Sequence, residues 1–254
     1  MMENAQQRLV VAQFGPRAKA YVESVVHAQG ADLDALCALI KSRPAHRVLD
    51  LGCGGGHVSF SIAPLVEHVT AYDLAPSMLA AAERLAQDRG LTNLSFEQGA
   101  VESLPFADQS FDMVVSRYSA HHWSDLARAL QEAHRVLTPS GRAIFMDVIA
   151  PERPVLDSFL QTLEMLRDPS HVRNYKISEW TRALAAAGFT PGVTTPRRLY
   201  LDFASWIARM NTPAPHVAAI RSLQALAAED VKTHFAVEAD GSFTIDTASF
   251  EAAA

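Results

Sequence analysis

The chain has 254 residues, 49% hydrophobic and 20% charged, enough to bury a full three-layer core without needing a second domain. Its formal net charge of −6 disfavours a nucleic-acid surface, since neutralising phosphates takes clustered Lys and Arg. No apolar run approaches the ~20 residues that cross a membrane, and two cysteines, Cys37 and Cys53, suggest neither a disulfide framework nor a structural zinc site. Residues 1–15 lack the basic start, apolar centre and small-residue cleavage site of a secretory signal, so a cytoplasmic protein acting on small molecules is expected.

In chain order, Ala18, Tyr21, Val22 and Val25 fall on one helical face. Leu33, Leu36, Cys37 and Ile40 mark a second helix that Arg43-Pro44 ends. Arg47 to Leu51 then has the length and branching of a buried strand, and it runs into the acid-and-glycine pattern Asp50-x-Gly52-x-Gly54-x-Gly56. Glycine there takes positive backbone angles and lets the backbone approach a ligand closely. Val58, Ile62, Leu65 and Val66 form the face of a short helix that Pro64 ends or kinks, completing the first half of a βαβ unit. A dinucleotide fingerprint starting at Gly52 needs its third glycine at position 57, which is His57; starting at Gly54 it needs one at Ser59. A Walker loop needs a lysine followed by Ser or Thr, and none follows. NAD and ATP chemistry both lose their pattern.

What remains resembles the class I S-adenosylmethionine-dependent methyltransferases, most closely the type 11-like small-molecule subgroup that includes quinone and sterol C-methyltransferases. The resemblance implies a Rossmann-like α/β fold. A mostly parallel seven-stranded sheet would have helices on both faces, an antiparallel last strand and a helical lid inserted after strand five. It implies that Asp50 helps hold the cationic amino group of the cofactor and that Gly52, Gly54 and Gly56 lie against its amino acid portion. Val69 to Tyr72 reads as the next strand and ends at Asp73, whose carboxylate can accept from both ribose hydroxyls. By resemblance Leu74 packs on adenine. A helix opening at Pro76 and closing at Gly90 follows, with Met78, Ala82, Leu85 and Ala86 on one face.

Leu94 to Gly99 reads as strand three, Met113 to Arg117 as strand four, and a helix begins near Asp125. The subgroup's Gly-Asp-Ala-Glu after strand three is here Gly99-Ala100-Val101-Glu102. The adenine contact therefore falls to backbone groups at Ala100 and Val101, with Glu102 a substitute acceptor. Arg117 joins the implied cofactor-binding set. Leu137 to Arg142 looks like the turn before strand five, which spans about Ala143 to Ile149. The implied N-terminal helix over the cofactor puts Tyr21 near the methionine carboxylate; alternatively Tyr21 packs on the core with its hydroxyl in water.

Histidine titrates in the useful range for a general base, and His121 and His122 stand just beyond strand four, where open α/β sheets bind ligands. A structural or cofactor-contact role is the alternative for both. Asp147 is either a pocket group or a hydrogen-bonded strand-end acid. After strand five come a helix from Pro154 to Leu166, a polar stretch from Asp168 to Lys176 and a helix from Ser178 to Ala187. The polar stretch is either a solvated loop or part of a lid bringing His171 and Tyr175 to the substrate pocket. Val193 to Phe203 alternates as a strand whose Arg197 and Arg198 read as exposed charges. Helices at Ala204 to Met210 and Ala214 to Leu226 and a final strand from Ser242 to Phe250 complete the chain.

The expectation is one methyltransferase domain over 1–254: helices over the cofactor (1–45), a cofactor-binding core (46–150), lid and helix (151–190), and C-terminal strands with substrate-side helices (191–254). S-adenosylmethionine would donate a methyl group to a small molecule and leave as S-adenosylhomocysteine, with no metal and no nucleic-acid partner. Neither the acceptor nor the oligomeric state is readable. A regulatory protein that holds the cofactor without transferring methyl is the alternative, and a pocket sealed from any acceptor would favour it.

Overall fold

The computed structural model describes residues 4–17 and 29–254; the expected face of Ala18, Tyr21, Val22 and Val25 lies outside them. Strands β1 (Arg47–Leu51), β2 (His68–Asp73), β3 (Leu94–Gln98), β4 (Phe111–Arg117) and β5 (Leu137–Ala150) pair in parallel. A two-residue strand, β6 (Tyr175–Lys176), pairs with the end of β5. With β7 (Thr190–Leu201) and β8 (Phe243–Ala253) the main sheet runs β3-β2-β1-β4-β5-β8-β7, and β8 is antiparallel to both its neighbours. This is the expected α/β sheet of seven strands with an antiparallel last strand.

Alternation along the strands divides the core between two faces. Leu49, Val114, Phe145 and Phe250 pack under α5 (Leu126–Val136) and α7 (Ile177–Ala186). Val48, Val69, Val115, Ile144 and Met146 face the other way, toward α2 (Ala31–Ser42) and α3 (His57–Ile62). Val148 continues that second face beneath α6 (Pro154–Arg167), α8 (Phe203–Met210), α9 (Ala214–Leu226) and α10 (Glu229–Phe235). The β2–β3 edge is covered by α4 (Pro76–Asp88), which opens with its proline in the first turn as expected. Asp125 caps α5 by accepting the Arg128 N–H at 3.0 Å. Among the described residues no helix is long and apolar enough to cross a membrane.

Four local expectations are corrected. Helix α1 (Ala5–Phe14) was not anticipated, although Asn4 and Gln7 have capping-box spacing and bond each other's backbone at 2.8 and 2.9 Å. The supposed turn from Leu137 to Arg142 is strand. Phe111 faces Leu137, the register then slips, and Met113 faces Arg142, so the surplus residues bulge within one continuous β5. Helix α10, with Val231 and Phe235 four residues apart and buried, was also missed. Finally, the polar stretch after α6 is not a solvated loop. Asp168, Ser170, His171 and Asn174 are buried, because each finds a hydrogen-bond partner inside.

Trp180 clamps α7 to the sheet, stacked on Phe250 with ring centroids 4.9 Å apart and 5.6 Å from Phe145. Its indole Nε1 has no partner among the described residues. Trp180→Ala should destabilise the fold by about 3–5 kcal/mol in urea unfolding. Trp180→Phe should cost much less, because it keeps the ring and removes an unpaired donor.

Candidate active site

The glycine loop crosses the carboxyl end of β1, and its geometry follows from two anchors. The Tyr72 carbonyl accepts N–H groups from Gly52 at 2.8 Å and Cys53 at 3.1 Å, which turns the chain sharply off the strand. Gly52 has φ +68°, and a Cβ there would collide with Ser119 Oγ; Gly56 has φ +80°. Asp73 is the second anchor, accepting the Gly54 N–H on one oxygen and the Ala75 N–H on the other, both at 2.8 Å. Burial raises its pKa against these bonds.

Asp50 is 1% exposed, and its Oδ2 takes both the N–H (3.1 Å) and the hydroxyl (2.6 Å) of Ser59 in α3. Its Oδ1 has no partner among the described residues. Burial, outweighing the two Ser59 bonds, pushes its pKa up to about 7. Asp50 belongs to the wall of a cavity of about 1030 Å³, open mouth included, that also touches Asp73, Leu74 and the 99–102 turn. Gln7, Val10 and Phe14 of α1 form part of its cover.

A second cavity of about 1050 Å³ shares Phe14, Arg117, Tyr118 and His122 with the first. His121, on its wall, is backed by Asp147 of β5, which is 2% exposed. The carboxylate lies 2.6 Å from His121 Nδ1 and also accepts the His121 and Val148 N–H groups. His121 Nε2 has no partner among the described residues. Burial works against charge on His121, but Asp147 raises its pKa above the usual value. His122 lies the other way: burial first, then its charged neighbour His121, push it down to about 4, and its Nδ1 is 3.0 Å from the Ser170 carbonyl. Among the described residues no His, Cys, Asp and Glu cluster is arranged to hold a metal ion.

A family model described as a methyltransferase domain matches residues 49–145, the stretch from β1 into β5. The uncharacterized methyltransferase YcgJ of Bacillus subtilis is 41% identical over 201 residues, 79% of each chain. The chain belongs to the S-adenosylmethionine-dependent methyltransferases. The methyltransferase is also 48% identical to the uncharacterized protein YafE of Escherichia coli K12 over 195 residues, 77% of this chain and 94% of that one. The crystal structure of YcgJ superposes with a TM-score of 0.84 at 36% identity, covering 87% of this chain and 97% of YcgJ. Family membership implies S-adenosylmethionine as cofactor.

The fold brings together most of the residues expected at the cofactor site of this methyltransferase. Asp50, Gly52, Gly54, Asp73, Leu74, Ala100, Val101, Glu102 and Arg117 all line the first cavity, while Gly56 supports the loop from behind with Phe60 where a Cβ would be. Tyr21 lies outside the described residues. Glu102, on the wall of the first cavity, also has a structural role: its carboxylate accepts the Ser124 N–H at 2.8 Å and the Gln7 side-chain amide at 3.3 Å, tying α1 to the start of α5. Arg117 is forked on Asp32 at 2.6 and 3.0 Å. His121 and His122 stand at the second cavity as placed by the sequence. His171 and Tyr175 line neither cavity. His171 is buried behind the wall with Nε2 3.0 Å from Gln161 Oε1, and burial together with its two histidine neighbours pushes its pKa down to about 2. Tyr175 packs on Trp180.

Sequence reasoning missed Asp32, Ser59 and Tyr118. Tyr118 carries φ 53°, a left-handed conformation unusual for a bulky residue, and is pinned by its N–H to the Met146 carbonyl at 2.8 Å. No sequence signal marks it. Asp147→Asn should lower the pKa of His121, since burial is then opposed only by the charges of Glu164 and Asp168. An NMR titration of the imidazole nitrogens in both proteins measures this directly.

Proposed function

We propose that the first cavity holds S-adenosylmethionine and the second its small-molecule acceptor, with the methyl group passing across the wall they share. That shared wall of Phe14, Arg117, Tyr118 and His122 is the observation that carries the reading. A protein that merely held the cofactor would need no second chamber beside it.

The residues present fit the cofactor's charges. Asp50 Oδ1 is a buried acceptor without a donor, which suits a cationic amino group. Each Asp73 oxygen already takes one backbone N–H and retains lone-pair capacity for the ribose hydroxyls. Leu74 supplies an apolar surface for adenine, and the 100–101 backbone supplies its polar edge. Gly52 and Gly54 let the chain approach the amino acid portion.

When bound, the cofactor supplies an electrophilic methyl on a sulfonium, so the protein's contribution is alignment and exclusion of water. His121 is the residue placed to take a proton from an acceptor hydroxyl or acidic carbon: Nδ1–H points at Asp147, which leaves Nε2 as the acceptor atom. His122, held neutral, shapes the wall between the chambers. With an acceptor found by screening, kcat/KM should rise with pH through the raised His121 pKa, because only the neutral ring accepts a proton. Asp147→Asn should move that limb to lower pH.

Isothermal titration with S-adenosylmethionine, S-adenosylhomocysteine and NAD tests the cofactor assignment; binding of the first two and not NAD is expected. An ammonium ion requires ionised Asp50, whose carboxyl is largely protonated below its pKa of about 7. Affinity should therefore fall from pH 7 to pH 6, with close to one proton released per cofactor bound at pH 6 when buffers of different ionisation enthalpy are compared. Asp50→Asn should abolish that release. Binding without proton release in the wild-type protein would remove Asp50 from the ammonium site.

A further inference from the structure

Five arginines line the second cavity, Arg117, Arg167, Arg197, Arg198 and Arg209, against three carboxylates, Asp32, Glu164 and Asp168. This excess stands in a chain whose formal net charge is −6. Much of it is answered locally. Arg117 forks on Asp32, Arg167 lies 3.4 Å from Glu164, and Arg198 lies 2.9 Å from Asp246. Asp168 accepts the Ser170 N–H and hydroxyl at 2.8 and 2.6 Å.

Arg197 differs from these. Its Nη1 donates to Ser249 Oγ at 2.8 Å and to the Thr195 carbonyl at 3.3 Å, and no carboxylate pairs with it among the described residues. The sequence suggested an exposed charge, yet the side chain is half-buried, because odd-numbered residues of β7 face the cavity beside Leu199 and Leu201. A half-buried guanidinium facing neutral groups retains most of its donors for a carboxylate or phosphate, whose geometry its planar fork matches.

Register gives the breadth of the cavity floor. Arg197 faces Thr247 on β8, and Thr247 faces Val148 on β5, all lining the cavity that His121 also lines. That row spans two strand spacings, about 10 Å. The floor beside it, Val148, Leu199 and Ile245, is apolar, and Trp206 forms part of the wall.

We propose that the methyl acceptor is an organic anion, its carboxylate or phosphate on Arg197 and its apolar body crossing the floor toward the reacting group at His121. This rests on the second cavity being the acceptor chamber. Recognition of the anion fixes the far end of the molecule and so aligns the near end.

The test is isothermal titration of the full chain saturated with S-adenosylhomocysteine, using matched pairs: naphthalene-2-carboxylate and its amide, octanoate and its amide, 2-naphthyl phosphate and 2-naphthol. At least one acid should bind ten times or more tighter than its neutral partner, with the preference weakening as salt rises. The phosphate pair against the two carboxylate pairs identifies the headgroup. Arg197→Gln should remove the preference while leaving S-adenosylhomocysteine affinity unchanged, which also reports an intact fold. Equal binding of acids and neutral partners, no binding of any acid, or a preference that survives Arg197→Gln overturns the proposal and leaves the cofactor assignment standing. Failure of the wild-type protein to bind S-adenosylhomocysteine overturns both.

Discussion

The site depends on a carboxylate held where water cannot reach it. Asp50 stands at the end of β1, and removing its charge from solvent is costly unless something answers it. The fold answers half: Ser59, in the first turn of α3, supplies two donors to Oδ2 and leaves Oδ1 bare. Strand, glycine turn and helix must keep one fixed relation for this to hold. The paired N–H groups of Gly52 and Cys53 on the Tyr72 carbonyl, and Gly54 on Asp73, tie that relation to the neighbouring strand. Proton affinity at Asp50 is therefore a property of the whole βαβ unit.

A second polar centre is arranged on different principles. Three histidine rings crowd together, with centroids of His121 and His122 4.3 Å apart and His121 and His171 5.7 Å apart. Like charges at that spacing in a buried site disfavour one another. The carboxylate of Asp147, 2.6 Å from His121 and supported by Glu164 and Asp168, raises His121, while burial and charged neighbours depress His122 and His171. The buried segment after α6 completes the arrangement, its Val172 and Arg173 N–H groups bonding the His121 carbonyl at 2.8 and 3.2 Å. A strand-end acid thus favours the proton on one ring of a cluster drawn from two distant parts of the chain.

The cofactor side was largely legible from the sequence because its determinants are local. A glycine pattern follows a strand, and an acid ends the next strand about twenty residues on, so adjacency in the chain nearly guarantees adjacency in space. Alternating apolar residues likewise placed the strands, and Pro76 and Asp125 marked helix starts where the structure has them. Misplacements came where local pattern and tertiary demand conflict. Leu137 to Arg142 carries turn residues but is drawn into β5 by pairing with β4. The polar stretch from Asp168 to Asn174 looks solvated, yet it is buried because its polar groups meet Gln161, His122 and one another.

The sequence by itself determined the α/β class, the core strands, the glycine loop and the two acids that face it, since each rests on spacing within a few turns or strands. Only the tertiary structure decided that Glu102 ties α1 to α5, that Asp147 orients His121, and that Arg197 faces a cavity. The physical reason is the same in each case. Which partner answers a charge is set by side chains that meet across 22 to 52 positions of chain, and no periodicity in the sequence encodes that meeting.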